Sequence, residues 1–330
     1  ASCGTNPPIY QQLAVAPRPI GITISVFPEK KGSATLGPSM NIDSAALFTR
    51  CLIVLLICWL STLARALDRD EVLEALRKGV AFYSERAAIE GGYHDVYSSD
   101  LSVAQSSKRS RGHQQISVTG SATPSVGMAF LVAWDATKDS FYLEAARRAG
   151  HALLRGQLCS GGWDYSIHLD PEKRVEYRYR QDVLVREPMD VESAGYTNLD
   201  NNSTQAAIRF LMRLDRELQF VDAAIHEGAL FALRGLVKGQ YPNGAWPQRY
   251  RSFPDRESYP VMVASFPGEW PRTWPGPVYY RYYTINDECT LNMIDVLLEA
   301  NRIYANEAFL RAAFRGGEFL LLAQLPEPQP

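Results

Sequence analysis

The sequence predicts an all-α fold, an (α/α) toroid of helical hairpins with long loops at one end. Three observations predict it: a long internal repeat, helical spacing of the apolar residues inside each copy, and proline- and glycine-rich stretches between copies. The chain has 330 residues, 46% hydrophobic and 21% charged, so it has apolar surface for a large core and lacks the charge excess of a disordered protein. Its formal net charge of -2, with arginines and lysines scattered along the chain, argues against a nucleic-acid partner.

The first 66 residues are expected to stand outside the fold. Residues 1–39, rich in Pro, Gly and Ser, precede Met40 and look like an upstream extension. From Met40 the order is Arg50, an apolar run from Cys51 to Leu63, and then Ala64-Arg65-Ala66, the charged, greasy and A-x-A order of a secretory signal cleaved after Ala66. That run is too short for a membrane span, which takes about 20 residues. The expected locations are therefore secreted or periplasmic, with no lasting membrane insertion, and residues 67–330 form the working domain.

Copies of the repeat begin at Thr123, Thr204 and Thr290 and run to Gln157, Gln240 and Gln324; an earlier partial copy ends in Gly91-Gly92-Tyr93. The first two full copies close on Gly161-Gly162-Trp163 and Gly244-Ala245-Trp246. Glutamines 83 and 84 residues apart leave room for one helical hairpin and a long loop per copy. Ala207, Phe210, Leu211, Leu214 and Leu218 fall at i, i+3, i+4, i+7 and i+11, and Leu310, Phe314 and Leu321 are expected to repeat that buried face. A hairpin cannot bury its apolar face alone, so neighbouring copies must stack, and the loops then gather at one end.

Residues 250–279 hold six prolines, cannot be helix and read as a binding rim, and Tyr97–Gln115 is a similarly polar stretch. Of the cysteines in the working domain, Cys159 and Cys289 are expected to be buried free thiols, because two cysteines make neither a disulfide framework nor a zinc site. The histidines show no metal-binding spacing.

The segment "LDNNST" holds more oxygen-bearing side chains than a helix start needs. Ser203 or Asn202 suffices as a cap, which leaves Asp200 and Asn201 spare, and one copy later Asn286, Asp287 and Glu288 precede the helix at Thr290. Both clusters can be read as caps and dipole-favourable acids at helix starts. They can also be read as two halves of a hard-cation site, since Ca²⁺ takes several carboxylate and carbonyl oxygens and neither cluster supplies enough alone.

The segments "TNLDNNSTQAAIRFL", "GQYPNGAWPQRY" and "YYTINDECTLNMIDVL" resemble the signatures of the family 10 polysaccharide lyases, the pectic acid lyases, in the same order and from about Asp68 onward. The resemblance implies a secreted, monomeric, Ca²⁺-dependent lyase that cleaves polygalacturonate (pectin) by β-elimination. It implies Asp200 and Asp287 as the catalytic metal-site acids, with Asn201 and Asn286 beside them and Trp163 and Trp246 in the substrate-binding loops. The chemistry suits a cation: the proton removed lies beside a carboxylate already negative, and a bound metal stabilises the enolate-like species. It would also let a slightly acidic protein hold a polyanion.

The chain departs from the family pattern at three places. Glu288 stands where a second Asp is usual, Ala245 replaces one of two glycines, and the family's basic arginine lies downstream of the Asp287 segment, past Pro330. On that ground the chain is expected to be C-terminally incomplete and inactive or poorly folded as it stands, while a longer version would cleave. Arg178, Arg180, Arg249, Arg251 and Arg281 match no family base, although each can bind uronate carboxylates bidentately. Trp163 and Trp246 also fit Q-x-x-x-G-x-W, a pattern shared with terpenoid cyclases, in which the tryptophan clamps helix ends. Two other functions stay open: a toroid glycoside hydrolase that uses Asp200 and Asp287 as its carboxylate pair, and a non-catalytic pectin-binding protein.

Overall fold

A computed structural model describes residues 68–106, 110–183, 194–258, 260–261, 279–281, 283, 285 and 288–324. The expected extension and signal segment fall outside them, as do Asn286 and Asp287. The compact unit that begins at Leu67 is mostly helical.

Helix α1, Arg69–Ala81, starts on Asp68, which accepts from the Asp70 amide, and runs into a π-helical turn, Phe82–Ala87. Three hairpins follow: α2 Thr123–Thr137 with α3 Ser140–Leu154, α4 Ser203–Glu217 with α5 Ala223–Gly239, and α6 Cys289–Tyr304 with α7 Glu307–Leu322. Each hairpin turns in the same way. One or two non-glycine residues go left-handed before the second helix (Lys138, Gln219 with Phe220, and Ala305), and an Asp or Asn then caps it. Asp139 accepts from the Phe141 amide at 2.9 Å, Asp222 from Ile225 at 3.2 Å, and Asn306 from Ala308 at 2.9 Å.

The first helices touch in succession, α2 on α4 and α4 on α6, while α5 packs on α3 and on α7. Close approach depends on small residues: Gly150, Gly228 and Gly316 face Leu214, Leu154 and Trp246 with no room for a Cβ. The predicted face of α4 is buried, with Ala207, Phe210, Leu211 and Leu214 at 0% exposure. On α7 the expectation fails. Phe314 and Leu321 are exposed, and Phe309, Ala312, Ala313, Gly316 and Phe319 form the buried stripe, because those small residues let the helix lie against Trp246 and Ile294.

The repeat ends also match in detail. Gln157 Nε2 donates to the carbonyls of Gly161 (3.1 Å) and Gly228 (2.8 Å), and Gln240 Nε2 donates to those of Gly244 and Ala312 (2.9 Å each). A buried amide thus closes its own loop and ties it to the next hairpin. Gly91, Gly161 and Gly244 all take positive φ, at 85°, 104° and 92°, and each lies against the backbone of the following outer helix, where only glycine fits.

The loops hold seven short strands among the described residues: an antiparallel sheet of β1 Val96–Tyr97, β2 Ala104–Ser106 and β3 Ser110–Arg111, and the antiparallel pairs β4 Gln115–Ser117 with β5 Ser166–His168 and β6 Thr197–Asn198 with β7 Arg249–Tyr250. Among its described residues the polar stretch Tyr97–Gln115 holds strands β2 and β3 and one end each of β1 and β4, joined by loops. Cys159 and Cys289 are free thiols, and Cys289 is buried. Among the described residues no helix is long and apolar enough to cross a membrane.

Candidate active site

At the starts of the first helices the loops converge on Asp200. Pairing of β6 with β7 sets Asn198 opposite Arg249, and Leu199 continues the ladder by donating to the Gln248 carbonyl at 2.9 Å. The Asp200 side chain lies in this corner, 15% exposed. Its Oδ2 accepts from the Tyr165 hydroxyl at 2.5 Å and lies 3.5 Å from Arg249 Nη2. Arg249 also donates to the Tyr165 oxygen at 3.2 Å, and Asn201 Nδ2 donates to the same oxygen at 3.3 Å. Burial, together with the bond to Asp200, raises the pKa of Tyr165, which therefore stays a donor.

The cap explanation for "LDNNST" does not hold. Asn201 and Asn202 are both left-handed, with φ of 53° and 54°, and neither supplies a cap to α4; Asn202 Oδ1 instead accepts from Arg209 at 3.4 Å. Helices α2 and α6 likewise begin without a side-chain cap, although every second helix has one. The asymmetry leaves amide dipoles at the rim end and frees Asp200 from a capping role. Consecutive left-handed asparagines store some strain, a feature that gathers at functional sites.

Asn201 sits in this corner with Asp200. Asp287 and Asn286 lie outside the described residues, and their expected roles stay with them there. Asp200 and the amide oxygen of Asn201 are hard oxygen donors that suit Ca²⁺ but fall short of the six to eight ligands it takes. Among the described residues no three His, Cys, Asp or Glu side chains form a metal cluster.

Trp163 and Trp246 are not at the rim. They are 0% and 1% exposed, and their indole nitrogens donate to the carbonyls of Leu153 at 2.7 Å and Leu236 at 2.9 Å. No ring face is open to a sugar, so the expected substrate-binding role gives way to the helix-end clamp that the Q-x-x-x-G-x-W pattern also allowed. Sequence reasoning missed Tyr165 and Tyr196. Tyr165 stands two residues after the clamp tryptophan in "GGWDY", a position that carries it from the core to the rim.

The row of helical hairpins thus presents a tyrosine- and arginine-lined acid at its loop end. Residues 172–317 match the family model described as pectic acid lyase, a stretch that includes Asp200, Arg249 and the start of α6. The match covers less than half of the chain and makes this segment similar to the pectic acid lyases. Among solved structures it is similar to a mutant of the family 10 polysaccharide lyase from Cellvibrio cellulosa in complex with trigalaturonic acid, at 12% identity and a TM-score of 0.42, covering 72% of this chain and 63% of that one. It is also similar to the family 10 polysaccharide lyase from Cellvibrio cellulosa, at 11% identity and a TM-score of 0.33, covering 56% of this chain and 57% of that one. No curated protein matches.

Proposed function

We propose that this chain carries the rim of a secreted, Ca²⁺-dependent pectate lyase that cleaves polygalacturonate by β-elimination, with its hairpins arranged as an (α/α) toroid. The observation that carries the proposal is Asp200, a half-enclosed acid used by no helix cap, inside a segment that matches the pectic acid lyases. Asp200 and Asp287 are the proposed metal acids, with Asn201 and Asn286 beside them. Cys289 supports their convergence: it stands two residues after Asp287 and donates to the Leu199 carbonyl at 3.1 Å, next to Asp200. When bound, Ca²⁺ supplies neutralisation of the uronate carboxylate. The chain's own part is to orient that carboxylate: Arg249 offers a cationic fork at Asp200, and Tyr165 keeps Asp200 in place.

Mixing a version of the chain that continues through the downstream arginine segment with polygalacturonate and calcium should release unsaturated products that absorb in the ultraviolet. EDTA or Asp200→Ala should abolish that signal. New reducing ends without ultraviolet absorbance would instead assign a hydrolase, and retention on polygalacturonate with no product would assign a binding protein.

A further inference from the structure

Two phenol rings meet the Arg249 guanidinium. Its carbon lies 5.2 Å from the centre of Tyr165 and 5.1 Å from the centre of Tyr280. Among the described residues the side chain donates only through Nη2, to the Tyr165 hydroxyl, and its Nε is buried with no partner. Hydrogen bonding therefore pins one corner of the fork, and the ring faces must set its plane. The Tyr280 ring is itself braced: it meets Tyr196 edge-on, with centres 6.2 Å apart and planes at 85°, and the Arg251 guanidinium carbon lies 3.8 Å over the centre of Tyr196. Asp164 ties the row together, since Oδ1 accepts from the Tyr165 amide at 2.8 Å and Oδ2 from the Tyr196 amide at 3.2 Å. Tyr280 is the member supplied by the stretch that leads into α6. It sits on the 3₁₀ turn Tyr279–Arg281, seven residues before Asp287. Tyr283 fastens the same stretch, through an antiparallel bridge to Pro247 and a ring contact with Tyr241 at 5.2 Å.

We infer that Tyr280 is a positioning residue for Arg249. Its ring sets the plane in which the guanidinium beside Asp200 meets the substrate carboxylate, and it makes that setting depend on the stretch before α6 being seated. When the turn at Tyr280 moves away, Arg249 loses a ring face while keeping its bond to Tyr165, so the fork is free to twist at the acid. The cation at one loop is thereby slaved to the arrival of the next. This role rests on the polygalacturonate proposal, whereas the ring contact that carries it does not.

Two measurements test it. In the chain carrying isotope-labelled arginine, the Arg249 Nε–H resonance, assigned by its loss in Arg249→Lys, should show a ring-current shift that Tyr280→Leu reduces and Tyr280→Phe keeps. Tyr280→Gln takes the place of Tyr280→Leu if the latter does not fold. Calorimetry with tetragalacturonate in calcium buffer, on the version that continues through the downstream arginine segment, should show binding about fivefold weaker in Tyr280→Leu and within about twofold of wild type in Tyr280→Phe. In an Arg249→Gln background Tyr280→Leu should weaken binding no further, because the ring then has no guanidinium to hold. An Arg249 resonance unmoved by Tyr280→Leu overturns the role and leaves the lyase proposal standing. Equal binding by Tyr280→Leu and wild type, or a loss that persists undiminished in the Arg249→Gln background, reduces Tyr280 to a packing residue and also overturns it. Wild type that binds no tetragalacturonate removes the lyase proposal and the role together, while the resonance still reports the ring contact.

Discussion

The hydroxyl of Tyr165 donates to Asp200 Oδ2 across 2.5 Å, joining the loop that ends one hairpin to the turn that begins the next. Tyr165 is buried apart from its rim-facing end, and its raised pKa keeps the proton on oxygen throughout the neutral range. Tyr165→Phe removes the donor but not the ring that supports Arg249, whose guanidinium carbon lies 5.2 Å from its centre. In the version that continues through the downstream arginine segment, the rate of unsaturated-product formation should drop about tenfold, the order expected for one hydrogen bond to a charged group. Circular dichroism should show little change in folding. An unchanged rate would mean that Arg249 alone holds the acid.

The glycine pair that closes each repeat predicts a sharp contrast between neighbours. A Cβ on Gly244 would lie 1.9 Å from the Arg315 carbonyl oxygen, and its φ of 92° disfavours any other residue. Gly244→Ala must push α7 off the loop and should cost about 2–4 kcal/mol, the upper range of overpacking with added backbone strain. Ala245→Gly should cost about 1 kcal/mol, since it removes one buried methyl and loosens the turn. Melting temperatures of the two variants would show whether the first position carries the constraint. The alanine at the second position is a departure that the site accommodates: in the two earlier copies that glycine faces Ile116 and Thr197, where a Cβ would clash.

Much of this architecture was legible because it rests on local rules. The repeating Thr, Gln and Gly-x-Trp marks correspond to hydrogen bonds within one hairpin and its neighbour. The buried face of α4 followed from its apolar spacing, whereas α7 misled: its large residues Phe314 and Leu321 face outward, and its buried stripe consists of alanine and glycine, which carry a weak hydropathy signal. The two tryptophans show the same limit. A Gly-rich loop with an aromatic reads equally as a sugar platform or a clamp, and only the direction of the indole N–H separates the two. Asp200 was legible as surplus to capping, but its partners Tyr165 and Arg249 come from other loops and depend on tertiary pairing.

Stability should fall as the solution is acidified from neutral. Burial lowers the pKa of both His94 and His168 from their ordinary 6.5. The unfolded chain therefore binds more protons than the folded one just below neutrality, so stability is full above 6.5 and declines as pH drops through the lower folded values. Asp222 acts in a separate, more acidic window. Burial works to raise its pKa, but hydrogen bonds from Arg147 and His151 outweigh this and bring it down to about 2 from 3.8, so its contribution is full above 3.8 and is lost as pH falls from there through about 2. A melting series should show a first decline between about pH 7 and 5 that His168→Gln makes shallower. A melting temperature flat across that interval would contradict the burial of both imidazoles.

At the other end of α4, Asp215 is completely buried and ties three helices together. Its Oδ2 accepts from Tyr304 of α6 at 2.8 Å and pairs with His226 Nδ1 of α5 at 2.8 Å. Burial and the adjacent carboxylate raise the pKa of Tyr304, so the phenol remains a donor. Asp215→Ala strands two donors and opens space in the core, which should cost about 3–5 kcal/mol. His226→Gln should cost about 1 kcal/mol, because that imidazole already reaches solvent. Tyr304→Phe removes one donor from a buried acid and should cost about 1–3 kcal/mol. Since Tyr304 and His226 share one oxygen, the three losses should not add, and a cycle pairing Asp215→Ala with Tyr304→Phe should show a coupling of at least about 1 kcal/mol. Helix α4 separates this cluster from Asp200 by about 20 Å at 1.5 Å per residue, so binding of tetragalacturonate per folded molecule should be unchanged in every variant. Weaker binding at full folding would show that the two ends of the hairpin are coupled, an outcome that independent stacking of helix ends does not allow.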